Sequence, residues 1–184
     1  AERLHLQTLD AMKTAFGPGD PDTLTQMNTV AHMHLRHDEP QRAAEMFEKI
    51  LEIQQHALES GHADTLETLH NLAQTYQRLG RSQDAEAICQ QALQTLRQQA
   101  NADPHAMAAV AASLGALHLE NKHFAEAEID LRFCLDLRVK HDAEHWLRFA
   151  TESLLGEALL EQQRLEEAGP LLRNGYDGLL SRVG

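Results

Sequence analysis

The sequence predicts an all-α fold, a stack of helix–turn–helix repeats each about 42 residues long. The apolar residues recur in one register along the whole chain, turn-forming residues interrupt that register at regular intervals, and the composition favours helices over strands. Leu and Ala supply most of the apolar side, and aromatic residues make up only 4% of the chain. A sheet would be richer in Val, Ile, Thr and Tyr.

The repeat is visible by self-comparison, which is the first search to make in a chain of this kind. Pro21-Asp22-Thr23-Leu24 returns 42 residues later as Ala63-Asp64-Thr65-Leu66. Met27, Val30, Ala31 and His34 align with Leu69, Leu72, Ala73 and Tyr76, then with Ala111, Leu114, Gly115 and His118. The last unit aligns as Glu152, Leu155, Gly156 and Leu159. The second half of each unit repeats in parallel. Ala43, Phe47, Ile50 and Leu51 match Ala85, Cys89, Ala92 and Leu93, then Ala127, Leu131, Cys134 and Leu135, then Ala168, Leu172, Gly175 and Tyr176. Spacings of three and four residues put each set on one helical stripe. Small residues at 31, 73, 115 and 156, facing alanines at 43, 85, 127 and 168, let paired helices approach closely.

Breaks fall where the register needs them. Gly17-Pro18-Gly19-Asp20-Pro21, Ser60-Gly61-His62 and Asn101-Ala102-Asp103-Pro104 separate units, while His37-Asp38-Glu39-Pro40 and Gly80-Arg81-Ser82 form turns inside them. Asp22, Asp64 and Asp103 are expected as N-caps, with Pro104 at a first helical position. Pro170 is expected near a helix start, where a missing N–H costs little. The resulting elements are a partial helix at 1–15 and pairs at 22–37/40–59, 64–79/82–100, 104–121/124–140 and 145–162/165–181. That makes nine helices and no strands. The whole of 1–184 is read as one repeat domain, with 1–20 a half unit and linker, followed by units at 21–62, 63–103, 104–144 and 145–184.

Charge narrows the partners. With 28 acidic and 16 basic residues the net charge is −12, which repels phosphate backbones and anionic lipid. Nucleic acid and direct membrane binding are therefore not expected, and no apolar run approaches a membrane-spanning length. Cys89 and Cys134 lie on apolar stripes and are expected as small core residues. A reducing compartment, the cytoplasm, fits them best, with the extracytoplasmic side of a membrane-anchored parent as the alternative. Neither catalysis nor a cofactor is expected. The carboxylates are scattered on helix surfaces, and His32, His34, His37 and His70 do not converge as a metal-ligand set. Trp146 and Phe149 are expected in packing.

The order of small and large residues resembles the tetratricopeptide repeat, shown best by Leu69-x-x-Leu72-Ala73-x-x-Tyr76-x-x-x-Gly80 with Ala85 and Ala92. The long period, with Ala1-Glu2-x-Leu4, Leu9 and Gly17-Pro18-x-x-Pro21-Asp22-Thr23-Leu24, is similar to the kinesin-light-chain subtype, and makes the start of the chain resemble the second helix of a truncated repeat. His34, His118 and Leu159 stand where the family usually has tyrosine, and Glu152 where it has an apolar residue. A string in the last unit resembles the closing repeat of bacterial serine/threonine kinases with C-terminal repeats. It runs through Trp146, Phe149, Ser153-Leu154-Leu155-Gly156, Glu167-Ala168-x-Pro170-Leu171-Leu172 and Gly175-Tyr176-x-Gly178-Leu179. The resemblance implies a right-handed superhelical stack acting as a protein-interaction scaffold, outside the catalytic part of any such kinase. No glycine-rich loop, His-Arg-Asp or Asp-Phe-Gly motif occurs in the sequence.

In that family, ligands lie along the first helices of the repeats. Stripe positions outside the core set map a groove for a peptide or partner helix: Asn28, His32, Leu35 and Arg36; Glu67, His70, Asn71, Gln74, Gln77 and Arg78; Ser113, Ala116, Leu119 and Glu120; Glu157 and Glu161. Amides at 28 and 71 can hydrogen-bond an extended backbone in either sense, or simply bond water. Arg36 and Arg78 share the repeat position that Glu120 and Glu161 occupy later, so a partner acidic at one end and basic or apolar at the other is expected, unless this is an ordinary solvated face. The alternative role is self-association, driven by apolar residues such as Leu4 and Leu6, or intramolecular control of an attached kinase.

Overall fold

A computed structural model of the chain describes residues 2–57 and 62–182. Ser60 and Gly61, expected in a break, lie outside the described residues. Among those described there are only α-helices: α1 Glu2–Ala15, α2 Pro21–Arg36, α3 Pro40–Ala57, α4 Ala63–Arg78, α5 Ser82–Arg97, α6 Pro104–Glu120, α7 Phe124–His141, α8 Trp146–Glu161 and α9 Leu165–Leu180. They form two compact units, Ala1–Ile88 and Cys89–Gly184, with the boundary inside α5.

In the first unit α1 packs on α2, α2 on α3 and α3 on α4. The expected stripe is its core. Met27, Val30, Ala31, Ala43, Phe47 and Ile50 are buried, as are Leu69, Leu72 and Ala73. The Tyr76 hydroxyl donates to Glu48 Oε1 at 2.8 Å, tying α4 to α3. Burial, and then that hydrogen bond, push its phenol up to about 12. His34, in the equivalent place on α2, is buried with Nδ1 2.7 Å from Glu39 Oε2. The histidine thus takes the tyrosine position by finding a carboxylate partner.

In the second unit α6 pairs with α7, α7 with α8 and α8 with α9. Ala127, Leu131, Leu155, Ala158, Leu159 and Ala168 form one core cluster, and Ala108, Ala111 and Cys134 another. Close approach depends on the small residues. A Cβ at Gly156 would lie 2.7 Å from Leu172 Cγ. His118 is buried with Nδ1 2.9 Å from Asp130 Oδ2.

The turn between the paired helices repeats as faithfully as the core does. Asp38, Gly80, Lys122 and Gln163 adopt φ of 60°, 69°, 62° and 62°. In each case the next residue donates its N–H five residues back, to the carbonyls of His34, Tyr76, His118 and Leu159. This left-handed closure satisfies helix-end carbonyls and suits glycine, yet only one unit uses glycine. The hydrogen bonds and the packing of the flanking helices hold the other three residues there.

Several expectations need correction. α2 is capped by Asp20, whose Oδ1 accepts from Asp22 N at 3.0 Å and Thr23 N at 3.2 Å. Pro21, lacking an N–H, takes the first helical position, so the cap must precede it and Asp22 falls inside the helix. α4 is capped by His62, whose Nδ1 accepts from Asp64 N at 3.3 Å, leaving Asp64 in the first turn. Asp103 does cap α6, with Pro104 behind it. Pro170 sits more than one turn into α9, so it costs the hydrogen bond to the Glu166 carbonyl instead of occupying a donor-free first turn. Tyr176 is 63% exposed. It lies about 100° around the helix from Gly175, which α9 buries against α8 together with Gly178. Trp146 opens α8 and is 51% exposed beside His145. Phe149, a turn later, is buried instead, with the Arg148 and Arg182 guanidinium carbons 4.3 and 4.6 Å from its ring centroid. Cys89 and Cys134 are buried in the core, as expected.

Candidate functional site

The apolar sides of α2 and α4 are committed to the core, so their remaining side chains face outward. In the first unit six of the expected groove residues line one cleft of about 570 Å³: His32, Leu35 and Arg36 from α2, and Asn71, Gln74 and Arg78 from α4. The two arginines come from the last turns of their helices, a favourable place for cations next to free carbonyl ends. Both are exposed. Asn71 is half-buried and its Nδ2 has no hydrogen-bond partner among the described residues. His32 stands edge-on to Phe47 at 5.5 Å, and Gln74 Nε2 lies 3.0 Å from His70 Nε2. Gln77 is half-buried on the same helix.

Asn28 and Glu67 line a second cleft of about 330 Å³ toward the N-terminal ends of α2 and α4. Gln54 on α3, Leu24, Asp64 and Thr68 contribute to its walls. Reading the first helices alone missed Gln54. Its signal was a polar residue continuing the Phe47–Ile50–Leu51 stripe, where the next repeat has the buried Leu96.

The second unit distributes its expected residues differently. Glu120, Glu157 and Glu161 are exposed, and Ser113 Oγ donates to the Ala109 carbonyl within α6. Ala116 is half-buried. Leu119 is half-buried and packs against the cluster containing Leu131, Leu155 and Leu159. Its i+4 relation to Gly115 brings it round to the neighbouring helix.

These clefts offer amides, guanidinium groups and carboxylates around shallow apolar patches. Such groups hold a ligand by hydrogen bonds and charge without breaking covalent bonds. The tetratricopeptide repeat signature matches residues 27–98 and 64–140, more than half of the chain. The chain belongs to the tetratricopeptide repeat family. Repeats of this family generally mediate protein–protein interaction, typically without catalysis.

Solved structures share the fold of these tetratricopeptide repeats. The kinesin-light-chain-type repeats of Podosopora anserina align with a TM-score of 0.80 at 23% identity, covering 96% of this chain and 84% of that one. BtubC (BKLC) from P. vanneervenii gives 0.84 at 20% identity, covering 100% and 74%. MamA gives 0.70 at 13%, covering 99% and 88%. At these identities the likeness concerns the fold. No curated protein matches the chain. No described helix is long and apolar enough to cross a membrane.

Proposed function

We propose that this tetratricopeptide repeat domain is a non-catalytic scaffold that holds a peptide or partner helix along the exposed faces of its first helices. The observation that carries the reading is the cleft of His32, Leu35, Arg36, Asn71, Gln74 and Arg78, in which Asn71 Nδ2 has no partner among the described residues and two arginines share the walls. An unpaired buried donor costs roughly 1–3 kcal/mol, and a ligand carbonyl would recover it. Arg36 and Arg78 favour acidic ligand groups there, while Glu120, Glu157 and Glu161 favour basic groups in the later repeats.

The setting we propose is a larger signalling protein such as a bacterial serine/threonine kinase, working in the cytoplasm. The closing-repeat string from Trp146 to Leu179 supports that parent. A second reading, self-association or intramolecular regulation of the kinase, draws on α1, where Leu4, Leu6 and Phe16 are 67%, 37% and 66% exposed. Light scattering over a concentration series, with Leu4 and Phe16 replaced by serine, tests it.

The groove is tested by fluorescence anisotropy with immobilised-library hits, comparing the unmodified chain with an Arg36→Glu/Arg78→Glu variant. Reversal should weaken acidic peptides by about tenfold or more. Equal affinity in both proteins would remove the groove assignment.

A further inference from the structure

We infer that the cleft formed by Asn28, Gln54, Asp64 and Glu67 is a subsite for the arginine side chain of a peptide ligand. The inference rests on the groove reading and extends it to a second, oppositely charged pocket in the first unit.

Acceptors dominate this pocket. Gln54 is only 4% exposed, yet its Oε1 has no hydrogen-bond partner among the described residues, and neither does Asn28 Oδ1. Both residues line the cleft, as do the carboxylate-bearing Asp64 and Glu67 from the first turns of α4. Asp64 Oδ2 also lies 3.8 Å from His62 Nδ1. Neither lysine nor arginine is among the lining residues. Buried acceptors without donors are unstable in isolation, and two carboxylates select a cationic donor over a neutral one.

Shape selects arginine within that class. The guanidinium carries five N–H groups in a planar fork, able to serve several acceptors at once, whereas a lysine presents a compact and strongly hydrated charge. Leu24 and Ile50 supply an apolar wall for the methylene stem. The volume of about 330 Å³ accommodates such a side chain. The net charge of −12 draws cationic ligands toward the surface.

The two pockets also set a spacing. Glu67 and Arg78 lie on one helix, eleven positions apart by number, or about 16 Å at 1.5 Å per residue. An extended peptide covers that in about five residues. The preferred ligand therefore carries arginine at one pocket and an acidic residue about five positions away at Arg36 and Arg78.

The test uses the full chain, labelled with nitrogen-15, and N-acetyl-arginine methylamide as probe. The isosteric but uncharged N-acetyl-citrulline methylamide and the lysine analogue serve as comparisons. Arginine should shift the side-chain amide signals of Asn28 and Gln54 saturably, with a Kd on the order of millimolar. Citrulline and an Asp64→Asn/Glu67→Gln variant should each weaken binding by about tenfold, and Arg36→Glu/Arg78→Glu should not. A hexapeptide with arginine and glutamate at opposite ends should outbind one with the two adjacent. Unmoved Asn28 and Gln54 signals, equal shifts from citrulline, or lysine matching arginine would overturn the assignment. If those results came with intact binding of acidic peptides at Arg36 and Arg78, only this subsite would fall. Loss of acidic-peptide binding with arginine binding retained would sink the groove reading and leave the subsite.

Discussion

The packing of α9 on α8 makes a prediction of unequal size at two glycines of one helix. A Cβ at Gly175 would sit 2.8 Å from the Phe149 carbonyl oxygen and 2.9 Å from the Ser153 nitrogen. Both are backbone atoms of α8, so relief requires the helices to move apart. A Cβ at Gly169, also in α9, would meet nothing within 4 Å beyond its chain neighbours, but the ring of Pro170 crowds a Cβ on the helical residue before it. Alanine in a helix interior gains about 0.5–1 kcal/mol over glycine, and overpacking a filled contact costs about 1–3 kcal/mol. Gly175→Ala should therefore destabilise the pair by about 0.5–2 kcal/mol, while at Gly169 crowding by Pro170 offsets the gain in helix propensity, so Gly169→Ala should change stability by less than about 0.5 kcal/mol. In a chain of this size the melting temperature would fall by roughly 1–8 °C for Gly175→Ala and move by less than about 2 °C for Gly169→Ala. Repeat arrays can melt from one end, so the probe should be local. Trp146, the only tryptophan, begins α8, and its fluorescence during urea or thermal unfolding reports on this pair alongside circular dichroism. An equal fall in both variants would refute the close-approach argument.

Other outcomes follow from buried and paired groups. Glu128 accepts from Arg132 at 2.9 Å, Gln162 at 3.1 Å and Arg164 at 2.6 Å. Burial raises its pKa, but these hydrogen bonds outweigh it and hold the carboxyl below its usual value of 4.5. Its stabilisation is thus present above 4.5 and lost as pH falls through the lower folded value. Glu128→Gln should flatten the acid limb of a pH–melting curve, and an unchanged limb would contradict this. Glu152 behaves oppositely: burial, only partly offset by Arg148, raises its pKa. It favours folding while protonated and loses that advantage as pH rises through the folded value. Glu152→Gln should therefore gain stability relative to the parent as pH rises from below 4.5 through the raised folded value, read by differential calorimetry. Cys134 is fully buried, and burial pushes its thiol up. Its reaction with a thiol-specific disulfide reagent should proceed only at the rate of local opening, and should accelerate with urea.

The helix order, the pairing of α2 with α3, α6 with α7 and α8 with α9, and most core positions were legible in the sequence. A strict small–large pattern at three-to-four spacing admits one buried face per helix, and four copies in register remove the ambiguity of any single copy. Arg36, Asn71 and Arg78 were legible as outward-facing for the same reason: they are what the core stripe leaves over. Other features depended on contacts between distant segments. Lys122 and Gln163 carry no local sign of a left-handed turn, because hydrogen bonds to His118 and Leu159 and the packed helices impose it. Tyr176 fills a core position of the repeat register yet is exposed, since burial depends on what packs against α9. Leu119 reads as an outward residue, and only the structure shows it half-buried against Leu131, Leu155 and Leu159. Gln54 is the clearest case. Along α3 it is one polar residue in an apolar stripe, and only the approach of α2 and α4 turns its buried amide, whose Oε1 has no partner among the described residues, into the wall of a pocket. Periodicity decides which face of a helix turns inward. Which inward or edge residue meets a partner, and which is left with an unsatisfied group, is decided by the tertiary structure, because that depends on atoms from other helices.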